Sequence, residues 1–351
     1  MKILYLTNEL NYSDGVASHL FYLIKHLQLN GNASIYLMCG GGSGIEKFRA
    51  LGIEILIDKN INHKNRTIKN FTSAIHSVYK FVKDKKIDIV HSHNHYASNI
   101  ASKAAKFVNF ETVQTVHGLI PETGRLKHYC SSNFIAVNDH VFDHLLKKNI
   151  PKNKITLIYN GIDFGAEAQH KSKNQIKIIS ASRLEIGKGI DTFIKAVSML
   201  PPEYKVKAEF IISGSGSLES KLKDLNENLK TRIKFTGNLK NLKNQFEQTH
   251  VFVITSESEG LPITMLEAAA SKNLVISSDF IGIENIITND KEGLIFRMHD
   301  AKDLSSKIKF ALDNIQMTNE IAEAFFLKAK SKFNAIDMAE KHYCLYKNIL
   351  C

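Results

Sequence analysis

Residues 256–270 of this 351-residue chain read SESEGLPITMLEAAA, and this stretch decides which fold the sequence favours. The residues just before it, 251–254 (VFVI), are β-branched and aromatic, as in a buried strand, whereas its alanine-rich end favours a helix. Gly260 lets the loop between them turn sharply. Pro262 stands where the first helical residue is expected, a position that needs no N–H partner. The stretch therefore predicts a strand, a tight loop and a helix.

The start of this predicted helix is suited to a phosphate group. The amides of Leu261, Ile263 and Thr264 would point out of the helix start, where they can bind an anion. Glu259 and Glu267 flank the same place, and carboxylates beside a phosphate are electrostatically unfavourable. We therefore expect the two acids to accept hydrogen bonds from neutral hydroxyl groups, such as those of a sugar or a ribose.

Length and composition indicate a globular protein of two domains. A chain of 351 residues is long for a single core, and 44% hydrophobic content with 5 Pro and 19 Gly indicates no disordered or low-complexity segment. The apolar run at residues 2–7 is a strand candidate that is too short for a signal peptide, and no run has the length of a membrane span. The cysteines are scattered, which fits a reduced, cytoplasmic compartment: Cys39, Cys130, Cys344 and Cys351.

Positive charge is concentrated in the first half of the chain. Of the formal net charge of +11, residues 1–163 carry 20 Lys and Arg against 12 Asp and Glu, a net +8, and the remainder carries 26 against 23, a net +3. Such an excess favours an anionic partner for the first half: a membrane surface, an anionic acceptor or nucleic acid. A lysine-rich, solvated surface explains it equally well.

Strand-like runs alternate with helical patterns along both halves, which predicts an α/β fold with two Rossmann-like, doubly wound parallel-sheet domains facing a cleft. We assign residues 1–165 to a first domain and residues 174–333 to a second. Residues 334–351 form a helix expected to pack back towards the first domain. The boundary falls between Asp163 and Asn174, where the sequence has neither periodicity nor an apolar face.

Three places in the first half could carry chemistry. Gly15 lies in a loop between a strand and a helix, as in phosphate-binding loops and also as in ordinary turns. His91, His93 and His95 alternate at a strand end and would share one side of an extended chain. A metal site there is conceivable, but no acid or cysteine completes it at typical spacing, so a polar wall is favoured. His117 closes a strand before Gly118, in a ligand-facing or a structural role.

In the second half, Arg183 and Lys188 lie five residues apart in a glycine-bearing loop that leads from a strand into a helix. Two cations in such a loop can neutralise a diphosphate, Arg with a fork of donors and Lys as a point charge. Gly214 marks a further strand-to-helix turn of general type. The helix predicted over residues 66–86 combines an apolar stripe with lysines; it either packs on the sheet or lies on an anionic membrane.

Taken in order, these motifs resemble those of the family 4 retaining glycosyltransferases, which have two Rossmann domains (the GT-B architecture), and the resemblance covers essentially the whole chain. It rests on the Gly15 loop, 88–93, 115–118, 159–163, 182–184 with 188–189, 214–216, and 259–262 with 267–268. Many members have two adjacent glycines in the first loop, whereas here Asp14 precedes Gly15. A carboxylate beside a diphosphate is unfavourable unless it points away.

The resemblance implies a nucleotide-diphosphate-sugar donor, with UDP favoured, bound by residues 174–333, while residues 1–165 form the acceptor-side domain. Arg183 and Lys188 would bind the diphosphate, and the amides from Gly260 through Leu261 and Pro262 to Ile263 would approach a phosphate and the sugar. Glu259 would bind sugar hydroxyls and Glu267 the ribose; His117 would contact the sugar near the reacting carbon. Gly15 and Gly214 belong to donor loops, and Arg232 and Ile233 would flank the base. His93, Asn138 and Asn160 are candidates for the acceptor side.

The resemblance further implies metal-independent, retaining transfer to a glycan or lipid-linked acceptor in cell-surface polysaccharide synthesis. No cofactor or bound metal is expected, and an anionic membrane is a further candidate partner through the basic first domain. The alternatives are a nucleotide-sugar epimerase or hydrolase of the same fold, and a basic nucleic-acid-binding protein. The last is disfavoured because the chain has no recognised nucleic-acid motif and no aromatic stacking platform.

Overall fold

The computed structural model describes residues 1–12, 14–119, 129–165, 175–239 and 242–351. The chain divides into two compact units. The first contains Met1–Gly161 and Ala335–Cys351, and the second contains Ile162–Asn334. The boundary predicted between residues 163 and 174 falls largely on residues 166–174, which lie outside the described ranges.

The first unit is built on a seven-stranded parallel sheet with the strand order β3-β2-β1-β4-β5-β6-β7. Its strands are β1 (Lys2–Glu9), β2 (Ser34–Gly41), β3 (Glu54–Ile57), β4 (Ile89–Ser92), β5 (Glu111–Val116), β6 (Asn133–Ala136) and β7 (Ile155–Leu157). The order reverses between β1 and β4, so this pair forms the topological switch point at which open α/β sheets bind ligands.

Side-chain caps begin most helices of the first unit. These helices are α1 (Gly15–Leu29), α2 (Ile45–Arg49), α3 (Ile68–Lys85), α4 (His95–Ala104), α5 (Asp139–Lys147) and α13 (Ala335–Leu350). Asp14, Thr67, Asn94 and Asn138 each accept a hydrogen bond from an amide in the first turn that follows, at α1, α3, α4 and α5. These residue types satisfy amides that have no partner inside a helix.

Helix α13 is part of the core of the first unit although it comes from the end of the chain. Met338, Ala339 and Tyr346 are buried in the same cluster as Tyr5 of β1. The Tyr346 hydroxyl lies 3.0 Å from that of Tyr5. The helix therefore completes the apolar face on which the strands and α1 pack.

The lysine-bearing helix α3 packs on the sheet through part of its apolar stripe. Ala74, Val78 and Val82 are buried with residues of β1 and β4. Ile68, at the first position of the helix, is 86% exposed. Of the two alternatives for this helix, packing on the sheet therefore holds for Ala74, Val78 and Val82. Ile68, the first residue of the helix, presents an apolar side chain to solvent.

The second unit repeats this architecture with a six-stranded parallel sheet of order β10-β9-β8-β11-β12-β13. Its strands are β8 (Ile176–Ala181), β9 (Ala208–Ser213), β10 (Lys234–Phe235), β11 (Val251–Ile254), β12 (Leu274–Ser278) and β13 (Leu294–Phe296). Its helices are α6 (Ile190–Ser198), α7 (Pro202–Lys207), α8 (Glu219–Asn228), α9 (Leu242–Glu247), α10 (Ile263–Ala270), α11 (Ala301–Asp313) and α12 (Ile315–Lys332).

In the second unit the strand order reverses between β8 and β11. The strands β9, β8 and β11 are neighbours and run parallel, so the loops that follow them emerge side by side at one edge of the sheet. The prediction of two Rossmann-like, doubly wound parallel-sheet domains is confirmed. Among the described residues, no helix is long and apolar enough to cross a membrane.

Candidate functional site

The loops that follow β8 and β11 are joined by hydrogen bonds at the switch point of the second unit. The backbone of Gly189, with φ +61°, passes so close to Thr255 that a Cβ on Gly189 would lie 2.2 Å from the Thr255 oxygen. The Thr255 hydroxyl donates to the carbonyl oxygen of Lys188 at 2.7 Å, and the Glu257 amide donates to that of Gly187 at 2.9 Å. Glycine is needed at 189 because only it permits this approach.

This arrangement brings together Lys188 and Glu259, which are 71 residues apart in sequence. The Lys188 Nζ lies 2.5 Å from the Glu259 Oε1, and the two side chains are 18% and 19% exposed. A carboxylate that appeared unfavourable beside an anion therefore has a cation in direct contact. The pair can separate to serve a ligand that offers an anionic group to the lysine and a hydroxyl group to the acid.

A third loop, which leaves β9, is bonded to the loop after β8. Gly214 has φ +134°, and a Cβ there would lie 1.8 Å from the carbonyl oxygen of Ser182. The Glu185 carboxylate accepts a hydrogen bond from the Ser217 amide at 2.9 Å. Arg183 follows Ser182 directly and is exposed, so its guanidinium group remains accessible at this edge.

Helix α10 begins one residue later than the sequence suggested. Pro262 is the residue before the helix, with φ −64°, and α10 runs Ile263–Ala270. The Pro262 carbonyl accepts from the amides of Met265 and Leu266 at 3.1 and 3.3 Å. Gly260 and Leu261 are buried in the turn before it, and Glu267 is half-buried on the helix. The helix start, Glu259 and Lys188 therefore occupy one edge of the sheet.

Arg232 and Ile233 lie at the other edge of this sheet. They precede β10, which runs parallel to β9, so they lie at the amino end of β10. The loops that contain Lys188, Gly214 and Glu259 leave the carboxyl ends of their strands. The Ile233 side chain is 4% exposed in the core, and its amide donates to Asn226 at 3.0 Å. The structure thus does not bring these two residues to the other donor candidates.

The residues that follow β10 do reach the edge of the sheet at which Lys188, Gly214 and Glu259 lie. The carbonyl oxygen of Gly237 accepts from the Gly214 amide at 2.9 Å, and the Asn238 side chain donates to the Ser215 hydroxyl at 2.7 Å. The sequence offered a signal for them, since Gly237 and Asn238 directly follow a short strand. The loop after β10, rather than Arg232 and Ile233, therefore contacts the loop that contains Gly214.

In the first unit, Gly15 opens α1 at the carboxyl end of β1. A Cβ on Gly15 would meet nothing within 4 Å, so the described part of the first unit leaves this position open. The Asp14 side chain accepts from the Val16 amide at 3.0 Å and so caps the helix. Asp14, which stands where many family members have a second glycine, therefore has a structural role: its carboxylate is hydrogen-bonded to the start of α1.

Contrary to the sequence prediction, the side chains of the three histidines at the end of β4 do not all lie on one side of the chain. His91 and His93 do, with ring centroids 4.4 Å apart. His95 is the first residue of α4, and its Nε2 lies 2.9 Å from Arg66. The reason is that β4 ends at Ser92 and Asn94 caps α4 by accepting from the Ala97 amide, so the chain is no longer extended at His95.

His93 lies next to two further histidines from distant parts of the chain. The His93 Nδ1 is 3.1 Å from the His117 Nε2, and the His19 ring packs edge-on to His117 with centroids 4.8 Å apart. Removal from water lowers the pKa of His117 to about 3 and holds the pKa values of His19 and His93 well below their ordinary value. All three rings are therefore neutral at pH 7.

Two acceptor-side candidates hold structural positions. The Asn138 Oδ1 accepts from the Val141 amide at 2.7 Å and caps α5. Asn160 is 3% exposed, and its Oδ1 lies 2.9 Å from the His19 Nδ1. Sequence reasoning did not single out His19, because a histidine four residues into a helix carries no motif.

The fold and the loops of the second unit are typical of nucleotide-binding proteins. Each unit has the strand order of a nucleotide-binding Rossmann domain, and the second has glycine-bearing loops with a cation at its switch point. Residues 13–165 match the family model described as Glycosyltransferase Family 4, and residues 163–325 match the one described as Glycosyl transferases group 1. The chain belongs to the family 4, group 1 glycosyltransferases and is a glycosyltransferase.

Similar proteins act in the assembly of lipid-linked sugars. The chain is 25% identical over 310 residues, 80% of each protein, to the Escherichia coli UDP-Gal:alpha-D-GlcNAc-diphosphoundecaprenol alpha-1,3-galactosyltransferase. It is 22% identical over 341 residues to the Campylobacter jejuni N,N'-diacetylbacillosaminyl-diphospho-undecaprenol alpha-1,3-N-acetylgalactosaminyltransferase, which covers 87% of this chain and 88% of that protein.

A solved structure shares the fold over nearly the whole chain. The crystal structure of Anabaena HepE in complex with UDP-glucose matches with a TM-score of 0.82 at 16% identity, covering 99% of this chain and 100% of that one. At this identity the likeness concerns the fold, and it confirms the predicted GT-B architecture.

Proposed function

We propose that this protein is a retaining glycosyltransferase that moves a sugar from a nucleotide-diphosphate donor, with UDP-sugars favoured, to a lipid-linked or glycan acceptor. The observation that carries the proposal is the contact between Lys188 and Glu259 at the switch point of the second unit. A cation and an acid held there match a ligand that has a diphosphate next to sugar hydroxyls. The names of the relatives, which include UDP-Gal and diphosphoundecaprenol, support both substrate classes.

The donor would be bound mainly by the second unit. Lys188 and the accessible Arg183 neutralise the diphosphate, and the amides at the start of α10 add further donors to its oxygens. Glu259 accepts hydrogen bonds from the transferred sugar, and Glu267 from the ribose. Because cations and amides supply the neutralisation, we propose that transfer needs no metal ion.

The first unit would contribute His117 to the transferred sugar and the open position at Gly15 to the diphosphate. In this mechanism the departing diphosphate helps to deprotonate the acceptor hydroxyl on the same face of the sugar, so the anomeric configuration is kept. The protein positions the reactants and stabilises the developing charge, and it supplies no covalent nucleophile.

A membrane-bound acceptor would place the protein at the inner face of a membrane. The relatives' acceptors contain undecaprenol, a lipid, and residues 1–163 carry the larger share of the positive charge. Lys69, Lys80 and Lys83 of α3 are exposed, and so is Ile68 at the start of the same helix. We propose that this face contacts anionic lipids, with each lysine contributing about 1 kcal/mol near the surface.

The decisive experiment incubates the purified chain with UDP-sugars and an undecaprenyl-diphosphate-linked sugar and analyses the product by mass spectrometry and NMR. We expect one sugar to be added with its configuration retained, with EDTA present and absent. Lys188→Ala and Glu259→Ala are expected to abolish turnover while their melting curves keep a single folded transition. Near-normal turnover in either variant, or an inverted anomeric centre, would contradict the proposal.

The same assay separates transfer from the alternatives. An epimerase converts the donor without any acceptor, and a hydrolase releases free sugar in its place. Vesicle co-sedimentation at low salt tests the membrane contact: wild type should bind anionic vesicles and Lys69→Glu/Lys80→Glu/Lys83→Glu should not. A triple variant of matched charge outside the first unit, Lys302→Glu/Lys309→Glu/Lys330→Glu, serves as the control. Equal binding by both triple variants would remove α3 from the proposal.

A further inference from the structure

Three buried or part-buried histidines of the first unit converge on one point. His19 comes from α1, His93 follows β4 and His117 follows β5; we call them the histidine triad. One ring nitrogen of each lies within 4.8 Å of those of the other two. In tetrahedral zinc sites, N–Zn bonds of about 2.0–2.1 Å place ligand nitrogens about 3.4 Å apart. The rings would have to converge by at most about 1.4 Å.

The hydrogen bond of His19 shows which of its nitrogens is available. Its Nδ1 lies 2.9 Å from the Asn160 Oδ1, an oxygen that can only accept, so Nδ1 carries the proton. In the neutral ring, Nε2 then carries a lone pair and can only accept. This Nε2 is buried and has no hydrogen-bond partner among the described residues. A side-chain oxygen that holds the far nitrogen of a histidine is the arrangement that orients metal-binding histidines in proteins.

His93 and His117 share a single proton between them. The His93 Nδ1 and the His117 Nε2 are 3.1 Å apart, so one donates to the other. The His93 Nε2 is buried and without a partner in the described ranges. Orphaned buried N–H groups are rarer than orphaned acceptors, which favours His93 Nδ1 as the donor and its Nε2 as a second lone pair. The lone pairs at Nε2 of His19 and of His93 are thus unpaired among the described residues, whereas the third, at His117 Nε2, accepts from His93 and would exchange that hydrogen bond for a metal ion.

Neutral imidazole nitrogens match the ligand preference of borderline transition-metal ions, and two of those in the triad, the Nε2 atoms of His19 and His93, have no partner in the described part of the chain. The three ligands are uncharged, so a bound dication keeps its charge and favours a water, hydroxide or anion in the fourth position. His117 is only part-buried, unlike His19 and His93.

We propose that the histidine triad is a site for a divalent transition-metal ion, Zn²⁺ in preference to Mg²⁺ or Ca²⁺, with one position left open. Metal bound there occupies His117 and inhibits sugar transfer. This inhibitory consequence rests on the proposed function, whereas metal binding does not. The site is thus separate from any metal requirement of the transfer reaction.

The test uses Co²⁺ as a spectroscopic probe of the full chain after treatment with EDTA. Wild type should bind one Co²⁺ with the visible absorption of a tetrahedral site, without a sulfur-to-cobalt band, and Zn²⁺ should displace it. His19→Asn is the matched variant, because the Asn amide can still donate to Asn160 while Nε2 is removed. It should weaken binding by at least about 100-fold. His76→Asn, on the exposed face of α3, should change nothing.

Melting curves with and without Zn²⁺ give a second readout, since a ligand of the folded state raises the melting temperature. The rise should occur in wild type and His76→Asn and be absent in His19→Asn. Failure of wild type to bind Co²⁺ in one-to-one ratio, or equal binding by His19→Asn, would overturn the site. Stoichiometric binding without loss of transfer would overturn only the inhibition. A wild type that binds metal but transfers no sugar would contradict the proposed function and leave the site standing.

Discussion

The contact between Lys188 and Glu259 predicts opposite effects of two substitutions on UDP binding. In the ligand-free protein the carboxylate holds the lysine at 2.5 Å and also repels an incoming diphosphate. Glu259→Gln removes the charge and keeps the shape, so Lys188 becomes available to the diphosphate. Lys188→Met removes the cation itself. We therefore expect the first variant to bind UDP more tightly than wild type and the second to bind it more weakly.

The size of the effect follows from the exposure of the pair. A hydrogen bond to a charged group contributes about 1.5–3 kcal/mol net when buried. Each of these side chains is about one fifth exposed, and solvent screening reduces the value to about 1–2 kcal/mol. Since 1.4 kcal/mol is a factor of ten, Glu259→Gln should tighten UDP binding by about 5-fold to about 30-fold. Lys188→Met should weaken it by about 10-fold or more.

Titration calorimetry with UDP on wild type, both single variants and the double variant measures these changes as a cycle. The two effects should not add, because the benefit of Glu259→Gln requires Lys188. Control titrations with uridine, which has no phosphate, should be the same for all four proteins. If Glu259→Gln weakens UDP binding as much as Lys188→Met does, the two residues do not compete for the diphosphate and the reasoning fails.

Three other changes test the local structure. Asp14→Asn keeps the cap of α1 and removes its charge, so UDP binding by calorimetry should tighten with an unchanged melting temperature; unchanged binding would show that no diphosphate approaches this loop. Gly214→Ala places a Cβ against the carbonyl oxygen of Ser182 at a positive φ, and denaturant unfolding should show a loss of at least about 2 kcal/mol. Lys328→Met removes the lysine that lies 2.6 Å from Glu292. Despite the opposing effect of burial, hydrogen bonds from Lys328 and Thr288 lower the pKa of Glu292 below 4.5. The stability from this pair is therefore present above pH 4.5 and is lost as the pH falls through the folded-state pKa. Wild type and the variant should differ in urea unfolding by about 1 kcal/mol at pH 7 and converge at acid pH; a difference that persists at acid pH would contradict this.

The alternation of apolar runs and helical patterns was enough to predict both sheets. Elements are local: the run VFVI at 251–254 and the alanine-rich segment after Pro262 form a strand and a helix because of their own residues. The right-handed βαβ connection then leaves few topologies open. The start of α10 was displaced by one residue because a proline before a helix and a proline within its first turn have similar sequence signals.

The pairing of Lys188 with Glu259 depended on tertiary structure. Their proximity follows from the sheet order, in which β8 and β11 are neighbours although two strands and four helices separate them in sequence. The same order explains why Arg232 does not join the donor candidates. Its position before β10 places it at the amino edge, and only strand direction decides that.

The sequence by itself determined the fold class, the loops at the carboxyl ends of the strands and the residue types proposed to bind the donor, because each depends on neighbouring residues. Only the tertiary structure decided which residues meet. His19, His93 and His117 are far apart in the chain, and no periodicity or spacing relates them. They converge because β1, β4 and β5 are adjacent in the sheet and α1 begins where β1 ends, so long-range packing creates the cluster.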